Sequence, residues 1–409
     1  MRNRRDPVAH SSRMRVLVSS NYDSPMNGPD QIWSEAVRTL EGGRPFALAT
    51  VVNVRGSTPR EVGAKMIVRE DGQFGTIGGG CGEAEVFRKA RVLLEEGGAS
   101  RLAEVDLTGD FDQREIGTCG GIMDVFVDLW SPPRDLAVAR QLADAASRSA
   151  PAALLTIVDP GSRAEMPAGT RAFIDPGNGG TAGTVPFNLP GAVLAQIVAR
   201  TADAIPALLE IDGIGALKPT THLNATGGAR LFVDPIVGAQ RLIIVGAGHI
   251  AVPLSALGAM LGFRVTVIDD RASFANRERF PDADEIIVKP FKAAVESLGL
   301  DGHCYLVSVT RGHAFDEEAV RAALMQPCGF VGMIGSRRRV KATLERIGAT
   351  GVPAERLNDV HAPLGVAIGG ETPEEIAISI VAEIIRERRT SSRDEFTLGV
   401  RFGRLKLSK

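Results

Sequence analysis

The chain has 409 residues, of which 44% are hydrophobic and 23% are charged, and its formal net charge is −2. This balance excludes nucleic-acid binding through a strongly basic surface, and no apolar run approaches the roughly 20 residues that span a bilayer. Four cysteines in this length do not make a disulfide framework, so we expect a reduced, cytoplasmic protein. The length itself favours two domains.

Residues 1–29 are polar and aperiodic, and we expect them to be disordered. Residues 30–238 are predicted to form an amino-terminal α/β domain. Its predicted strands are 46–54, 65–69, 73–77, 102–107, 122–130, 152–158 and 171–174. A first helix is predicted directly after Pro29 and Asp30, and further helices are predicted at 83–96, 136–147 and about 191–204. Residues 213–230 are interpreted as a linker or a hairpin.

Three glycine-containing loops of this domain are candidates for its chemistry. Residues 56–60 read Gly-Ser-Thr-Pro-Arg, and residues 75–81 contain three consecutive glycines followed by Cys81. Cys81 directly precedes a predicted helix, whose N–H groups favour a thiolate. Cys119 lies in the third loop, beside glycines that let the backbone approach a ligand. Two such thiols near Arg60 indicate sulfur chemistry or a soft metal ligand, and buried inert cysteines are the alternative.

The most informative stretch is 241–271, which reads as strand, glycine turn, helix and strand. A G-x-G-x-x-A turn runs from Gly246 to Ala251, and Asp269 follows about 20 residues later, where a dinucleotide-binding unit has its ribose-binding carboxylate. Gly246 permits the tight turn, and Gly248 lets the backbone approach a phosphate. The stretch therefore predicts a Rossmann-type unit that holds a dinucleotide, another phosphate-bearing molecule or no ligand.

Residues 239–389 alternate strand and helix, which predicts a doubly wound parallel sheet. The predicted strands are 242–245, 264–268, 285–288, 304–309 and 330–334, and the predicted helices are 249–261, 292–299, 315–325, 336–347 and 373–388. Thr372, Pro373 and Glu375 form a capping box at the start of the last helix. Residues 390–409 are a basic tail, which is interpreted as solvated, with a docking arm for an acidic partner as the alternative.

Ligands bind beyond the carboxyl ends of the strands in such a sheet, so the loops that follow the strands are candidate binding loops. Arg337 and Arg338 lie at a helix N-terminus, where arginines oppose the helix dipole unless an anion binds there. An exposed basic helix face is the alternative. His249 and His313 are interpreted as polar loop residues rather than general acids. The histidines show no zinc-ligand spacing, and the cysteines include no C-x-x-C motif.

Seven motifs occur in one order along residues 32–388. They are Gly56–Arg60, Ile77–Cys81, Cys119–Gly121, Gly246–His249, Thr310–His313, Met333–Arg338 and Glu371–Ala377. Together they resemble the XdhC/CoxI family, the accessory proteins of xanthine dehydrogenase and related molybdenum hydroxylases. Gly82 departs from the family pattern, in which a larger apolar residue often follows the cysteine.

The resemblance implies a maturation factor rather than a stand-alone enzyme. Such a factor binds the molybdenum cofactor (Mo-molybdopterin or its cytosine dinucleotide form), supports its sulfuration with a cysteine desulfurase, and inserts it into the large subunit of a xanthine dehydrogenase or CO dehydrogenase type hydroxylase. Cys81 and Cys119 are then the expected catalytic residues, facing the cofactor. The expected cofactor-binding residues lie in the loops described above: Ser57, Thr58, Arg60, Gly79, Gly80, Gly120, Gly246, Gly248, His249, Asp269, Arg311, His313, Ser336, Arg337 and Arg338.

Two other functions fit the same residues. An NAD(P)-dependent oxidoreductase would use the glycine turn together with Asp269, and the sequence offers no acid–base set for its substrate. A docking scaffold would use the basic tail to hold a partner hydroxylase. We expect a homodimer, because two-fold pairs are the commonest assemblies, and we expect neither a nucleic-acid partner nor a membrane partner.

Overall fold

The computed structural model describes most of the chain between residues 29 and 390. The described residues are 29–108, 120–148, 152–162, 166–175, 194–198, 205–211, 217–221, 223, 227–236, 238 and 240–390, and the backbone alone is described for Pro29, Asp30, Cys81, His313, Arg389 and Thr390. Cys119, residues 1–28 and the basic tail from residue 391 lie outside the described residues, so the expectations for them stay predictions.

The amino-terminal half begins with an antiparallel sheet covered on one face by a long helix. The strands lie in the order β3-β2-β1-β5-β4. They are β1 (Phe46–Arg55), β2 (Lys65–Arg69), β3 (Gly72–Gly75), β4 (Arg101–Asp106) and β5 (Ile122–Trp130). Helix α2 (Gly80–Glu96) packs on this sheet through Val86, Ala90 and Leu93, which share one helical face.

A second antiparallel sheet follows in the order β7-β6-β10-β8-β9. Its strands are β6 (Ala152–Asp159), β7 (Arg171–Ile174), β8 (Ala207–Ile211), β9 (Leu217–Pro219) and β10 (Ala229–Ile236). A helix, α4, whose described part is 194–198, contributes Ile197 to the core on one face of this sheet. The sequence predicted neither β8 nor β10. Every residue of β10 is buried, so this strand lacks the alternation of polar and apolar residues that marks a half-exposed strand.

The two sheets pack face to face. Val52 and Phe126 of the first sheet contact Phe232 of the second, and α1 (Pro29–Glu41) and α3 (Leu136–Ser147) pack together beside them. A buried ion pair crosses the interface, with 2.8 Å between Lys65 Nζ and Asp234 Oδ2. Desolvation raises the pKa of Asp234, and the nearby ammonium group opposes this effect.

The carboxyl-terminal half is a six-stranded sheet in which every described pair is parallel. The strands are β11 (Arg241–Val245), β12 (Arg264–Asp269), β13 (Glu285–Val288), β14 (Cys304–Ser308), β15 (Phe330–Met333) and β16 (Val360–His361). Their order, β13-β12-β11-β14-β15-β16, is the 3-2-1-4-5-6 order of the Rossmann fold. The predicted doubly wound sheet is therefore confirmed, and β16 is an addition that two residues were too few to predict.

Helices cover both faces of the parallel sheet, with a separate apolar core on each face. They are α5 (Ala251–Met260), α6 (Phe291–Glu296), α7 (His313–Leu324), α8 (Arg337–Gly348), α9 (Ala354–Asn358) and α10 (Pro373–Thr390). The predicted capping box is confirmed, because Glu375 N–H donates to Thr372 Oγ1 at 3.3 Å while Thr372 N–H donates to Glu375 Oε2 at 3.1 Å. Within the described part of the chain, each helix is too short or too polar to cross a lipid bilayer.

Candidate functional site

Two glycine loops of the amino-terminal half are in direct backbone contact. A Cβ atom on Gly121 would lie 2.3 Å from the carbonyl oxygen of Ser57, and one on Gly56 would lie 2.9 Å from the carbonyl oxygen of Gly120. Gly56 also has a φ of 76°, which side chains disfavour. Only glycine fits at these positions, so the loop after β1 and the start of β5 are held together by their backbones.

The third glycine loop, at residues 75–81, lies at the same edge of the sheet, and we call the surface formed by the three loops the glycine edge. A Cβ atom on Gly78 would lie 2.6 Å from Pro59 Cγ and 3.7 Å from Arg60 Cγ. Gly79 and Gly80 have φ angles of 75° and 68°, and they are exposed. Apart from their chain neighbours, no atom of the described residues lies within 4 Å of the position that a Cβ would take. Their backbones therefore form an open surface that a ligand can approach closely.

The Glu83 carboxylate holds this glycine loop in place through hydrogen bonds. Its Oε2 accepts hydrogen bonds from the N–H groups of Ile77 and Gly79, both at 3.0 Å, and from Thr76 Oγ1 at 2.5 Å. Gln73 Nε2 donates to Oε1 at 2.9 Å. Burial by itself would raise the pKa of Glu83, but these hydrogen bonds outweigh it and hold the pKa below its usual value. The glycine loop is thus preorganised by an ionised carboxylate.

Helix α2 begins at Gly80, three residues earlier than predicted, so Cys81 lies in the first helical turn rather than before it. The N-cap residue Gly79 offers no side-chain cap, which leaves N–H groups of the first turn for another acceptor. Gly120, which follows Cys119 in the sequence, contacts Gly56. The meeting of the two thiols stays a prediction.

Gly82, which departs from the family pattern, allows close packing of α2 on the sheet. A Cβ atom there would lie 2.6 Å from Val105 Cγ1. The structure therefore gives Gly82 a packing role.

The polar residues of the loop at residues 56–60 have different roles. Thr58 Oγ1 donates to the carbonyl oxygen of Arg60 at 2.9 Å, so this hydroxyl braces the loop. Ser57 and Arg60 are exposed, and Arg60 makes no ion pair with the described residues. The exposed guanidinium group of Arg60, which is unpaired among the described residues, makes this edge suitable for an anion.

The predicted Rossmann turn lies at the carboxyl ends of the parallel strands. Gly246 has a φ of 102°, and a Cβ atom there would lie 2.9 Å from Thr310 Cα, so glycine is required for the close approach of the two strand-end loops. Gly248 has open space around it. The cleft at this edge has a volume of about 320 Å³ and is lined by Gly248, His249, Ile250, Val309, Thr310, Ile334, Glu371, Pro373 and Ile376.

Asp269 occupies the position predicted for a ribose-binding carboxylate, but protein groups surround it. Its Oδ2 accepts from Ala247 N–H at 2.8 Å and from Arg271 Nη2 at 3.1 Å, and its Oδ1 accepts from the backbone and side chain of Arg271 at 3.1 and 2.8 Å. Burial would raise the pKa of Asp269, but the hydrogen bonds from Arg271 and Ala247 hold it below its usual value. A ribose hydroxyl would have to displace one of these donors.

Arg311 is likewise paired within the chain. Its two Nη atoms each lie 2.9 Å from an oxygen of Asp270, and the guanidinium group lies 4.6 Å from the ring centre of Phe315. This bidentate pair joins the loops after β12 and β14. The pairing raises the pKa of Arg311 through its hydrogen bond with Asp270.

The three arginines at the start of α8 have different environments. Ser336 is the N-cap, and its Oγ accepts from Arg339 N–H at 3.4 Å. The side chain of Arg339 pairs with Asp316, a fully buried carboxylate that also accepts from Ser308 Oγ at 2.8 Å and from Thr310 Oγ1 at 2.6 Å. Arg337 and Arg338 are exposed and form no ion pair within the described residues. These two side chains are therefore available to an anion at the helix N-terminus.

Comparison with known proteins identifies both halves of the chain. The model described as the XdhC Rossmann domain matches residues 242–384, and that of the XdhC and CoxI family matches residues 39–106. The chain belongs to the XdhC and CoxI family. The predicted family resemblance is thus confirmed. The loops at residues 56–60 and 75–81 lie in the region that the second model matches, and the Rossmann sheet from Leu242 onward lies in the region that the first model matches.

Several relatives of this XdhC/CoxI protein are known. The uncharacterized protein YqeB of Escherichia coli (strain K12) is 26% identical over 362 residues, which are 88% of this chain and 47% of YqeB, so the chain spans about half of that relative. A probable xanthine dehydrogenase subunit from Bacillus subtilis (strain 168) is 28% identical over 353 residues, 86% of this chain and 95% of the relative. The molybdenum cofactor insertion chaperone PaoD of Escherichia coli (strain K12) is 42% identical over 63 residues, 15% of this chain and 20% of PaoD.

A solved structure shares the fold of this XdhC/CoxI protein. It is described as a xanthine dehydrogenase from Bacillus halodurans, and it is 25% identical, with a TM-score of 0.69, over 89% of this chain and 97% of that chain.

Sequence reasoning missed three carboxylates that shape the two edges of this XdhC/CoxI protein. Glu83 holds the glycine loop, Asp316 holds Thr310 and Arg339, and Glu371 lines the Rossmann cleft. Glu83 and Asp316 both lie in the first turn of a helix that follows a glycine, where a carboxylate can accept N–H or hydroxyl hydrogen bonds from the preceding loop. An acidic residue in the first helical turn after a glycine is therefore the sequence signal that could have identified Glu83 and Asp316.

Proposed function

We propose that this protein binds the molybdenum cofactor and delivers it to the large subunit of a molybdenum hydroxylase of the xanthine dehydrogenase or CO dehydrogenase type. The observation that carries the proposal is the convergence of three glycine loops at the start of the helix that contains Cys81. Family membership supports it, as does similarity to the molybdenum cofactor insertion chaperone PaoD and to the probable xanthine dehydrogenase subunit of Bacillus subtilis.

The residues at this edge fit the chemistry of such a cargo. The exposed backbones of Gly79 and Gly80 form a surface that no side chain of the described residues fills, and Arg60 is exposed and able to bind a phosphate. A thiolate at Cys81 is a soft ligand, which suits molybdenum and its sulfido group. We propose that Cys81 and Cys119 hold the metal end while a cysteine desulfurase supplies sulfur, so that the protein acts as an accessory factor.

The test is copurification of the cargo. The full chain is purified anaerobically from a host that makes molybdopterin, and the released pterin is oxidised and quantified by fluorescence. We expect about one pterin bound at the glycine edge of each chain at saturation. Pterin at the background level of a host lacking the cofactor pathway would contradict the proposal.

Two exposed arginines are the alternative ligands for the phosphate of the cargo: Arg60 at the glycine loops of the amino-terminal half, and Arg338 at the N-terminus of α8 in the Rossmann half. Arg338→Ala should weaken cofactor binding by about 1.5–3 kcal/mol, because it removes a charge-assisted hydrogen bond. Equilibrium dialysis measures the affinity. Lys341→Ala is the matched control, since Lys341 is an exposed cation on the same helix, 3.9 Å from Glu345. Equal affinities for both variants would place the phosphate elsewhere, with Arg60 as the next candidate.

The nicotinamide-dependent oxidoreductase remains the alternative function. The Rossmann strand order and Asp269 favour it. The four hydrogen bonds that Asp269 receives from Ala247 and Arg271 weigh against it, because they use the lone pairs that a ribose would need. Titration with NADH and NADPH distinguishes the two functions.

A further inference from the structure

The two antiparallel sheets of the amino-terminal half follow one plan. Adding 106 to a residue number in the first sheet gives its counterpart in the second, so that β1, β2, β4 and β5 correspond to β6, β7, β8 and β10, and α1 corresponds to α3. The corresponding strands lie in the same order, β2-β1-β5-β4 in one sheet and β7-β6-β10-β8 in the other. Residues 29–130 and 135–236 therefore share one topology, and we call them the first unit and the second unit.

The two units also share an irregular detail before their second strand. In the first unit, Gly63 has a φ of 92°, and its N–H donates to the carbonyl oxygen of Val51 at 2.8 Å. In the second unit, Gly169 has a φ of 85°, and its N–H donates to the carbonyl oxygen of Ile157 at 2.8 Å. The offset of 106 residues therefore extends to a glycine whose positive φ the turn requires.

The ion pairs between the units are reciprocal. Lys65 Nζ of the first unit lies 2.8 Å from Asp234 Oδ2 of the second, and Arg171 Nη2 of the second lies 2.6 Å from Asp128 Oδ2 of the first. Lys65 corresponds to Arg171, and Asp128 corresponds to Asp234. None of these four side chains is more than 11% exposed. A contact that recurs with the two partners exchanged is typical of an interface with two-fold symmetry.

The side chains between the two sheets obey the same symmetry. Equivalent residues of both units line one small cavity there, among them Thr50 and Thr156, Phe126 and Phe232, and Asp128 and Asp234. All six are buried. An apolar core does not require threonine or aspartate, so their recurrence at equivalent buried positions indicates a repeated unit rather than two unrelated sheets. Helices α1 and α3, which are equivalent, pack against each other beside this interface.

We infer that the sheet face of each unit is an interaction surface whose partner is a second copy of the same unit, and that the amino-terminal half is such a pair within one chain. A tandem duplication accounts for the constant offset of 106 residues. The two ion pairs set the alignment of the units, because any other alignment leaves a buried charge without its counter-charge.

The two units differ in the residues of the glycine edge. Arg60 is exposed, whereas its counterpart Met166 is only 5% exposed. Cys81 corresponds to Phe187, and the three glycines at 78–80 correspond to Thr-Val-Pro, at positions of the second unit that lie outside the described residues. Under the proposed function, on which this step rests, the first unit binds the cargo and the second unit completes the pair without binding it.

Double-mutant cycles in the full chain test the pairing of the units. The variants are Lys65→Met with Asp234→Asn, and Arg171→Met with Asp128→Asn. Each single substitution should raise the equilibrium constant of unfolding at least about tenfold, because it leaves a buried charge unpaired. The second substitution in the same ion pair should add at most about threefold, since its partner is already absent.

Urea unfolding followed by tryptophan fluorescence measures these effects. The chain has two tryptophans, Trp33 and Trp130, and both lie in the first unit, so the signal reports on this half of the chain. Lys65→Met combined with Asp128→Asn is the matched control. These two residues belong to the same unit and to different ion pairs, so their effects on the unfolding constant should multiply.

A full-length chimera tests the equivalence of the units. Residues 135–236 are replaced by a second copy of residues 29–130, so the length of the chain is unchanged. Lys65 of each copy then faces Asp128 of the other, and both ion pairs are retained. We expect the chimera to be folded without urea and to bind two molecules of molybdopterin, measured as oxidised pterin, where the unchanged chain binds one. The chimera with Lys65→Met in both copies is the control and should unfold at lower urea concentration.

Effects that multiply within both ion pairs would overturn the inference, and so would a chimera that is unfolded without urea. A folded chimera that binds one pterin would overturn the restriction of binding to the first unit. A folded chimera that binds no pterin would support the pairing of the units and contradict the proposed function, so the two failures are distinguishable.

Discussion

Cys81→Ala is expected to lower delivery of active cofactor to the partner hydroxylase by at least about tenfold, the loss that even an outer-shell substitution causes at a metal site. Cys81 lies in the first turn of α2, beside the open backbones of Gly79 and Gly80. Helix N–H groups stabilise a thiolate there. The measurement is hydroxylase activity after reconstitution with the purified chain and cofactor, with Cys119→Ala assayed in parallel.

Cys328→Ala is the matched control for this prediction. Cys328 is buried in the core of the Rossmann half, where burial raises its pKa to about 11. Its Sγ donates to the carbonyl oxygens of Cys304 and Phe330, each at 3.3 Å. Because the thiol stays protonated at neutral pH, its loss should leave delivery per folded chain unchanged. Delivery at the original level by both Cys81→Ala and Cys119→Ala would mean that these thiols are structural.

Asp316→Ala is expected to lower the free energy of unfolding by about 3–5 kcal/mol, the range for removing one partner of a buried ion pair. Asp316 is fully buried, and it pairs with Arg339 while accepting from Ser308 and Thr310. The Nε atom of Arg339 is already buried without a hydrogen-bond partner among the described residues. Removing the carboxylate therefore leaves a partly buried cation and the Ser308 hydroxyl group without their partner, while the Thr310 hydroxyl keeps its hydrogen bond to the carbonyl oxygen of Gly312. Urea unfolding measures the change.

Glu317→Ala is the control for this effect. Glu317 is the next residue on α7 and pairs with Arg346 at 2.6 Å, but the Arg346 side chain is 49% exposed. A pair of this kind contributes about 0–1 kcal/mol. If Asp316→Ala lowered the free energy of unfolding as little as Glu317→Ala does, the buried carboxylate would not hold the strand-end loops together. Thr310 lines the cleft, so the Asp316 variant should also disturb that edge.

Much of the Rossmann half could be predicted from the sequence because its signals are local. The strand 285–288 was predicted with the bounds that the structure has, and the capping box of α10 formed as expected. Gly246 was predicted as the residue of a tight turn, and its φ of 102° fits that role. Each of these features depends on residues that are close in the chain, so composition and spacing were sufficient.

The central strand of the second sheet of the amino-terminal half could not be predicted from local sequence patterns. β10 lies between β6 and β8, and its partners are far away in the sequence. A strand that is buried on both faces shows no period of two, so no strand was predicted for β10 from the sequence. Only the register with β6 and β8 identifies it as the central strand.

The amino-acid sequence by itself determined the parallel sheet, the glycine turns and the family, because these depend on short-range patterns of size, polarity and backbone freedom. The tertiary structure decided which charged groups are free. Asp269 and Arg311 pair with Arg271 and Asp270, whereas Arg60, Arg337 and Arg338 keep their guanidinium groups unpaired within the described residues. The physical reason is that an ion pair depends on distance in space, and a sequence gives only distance along the chain.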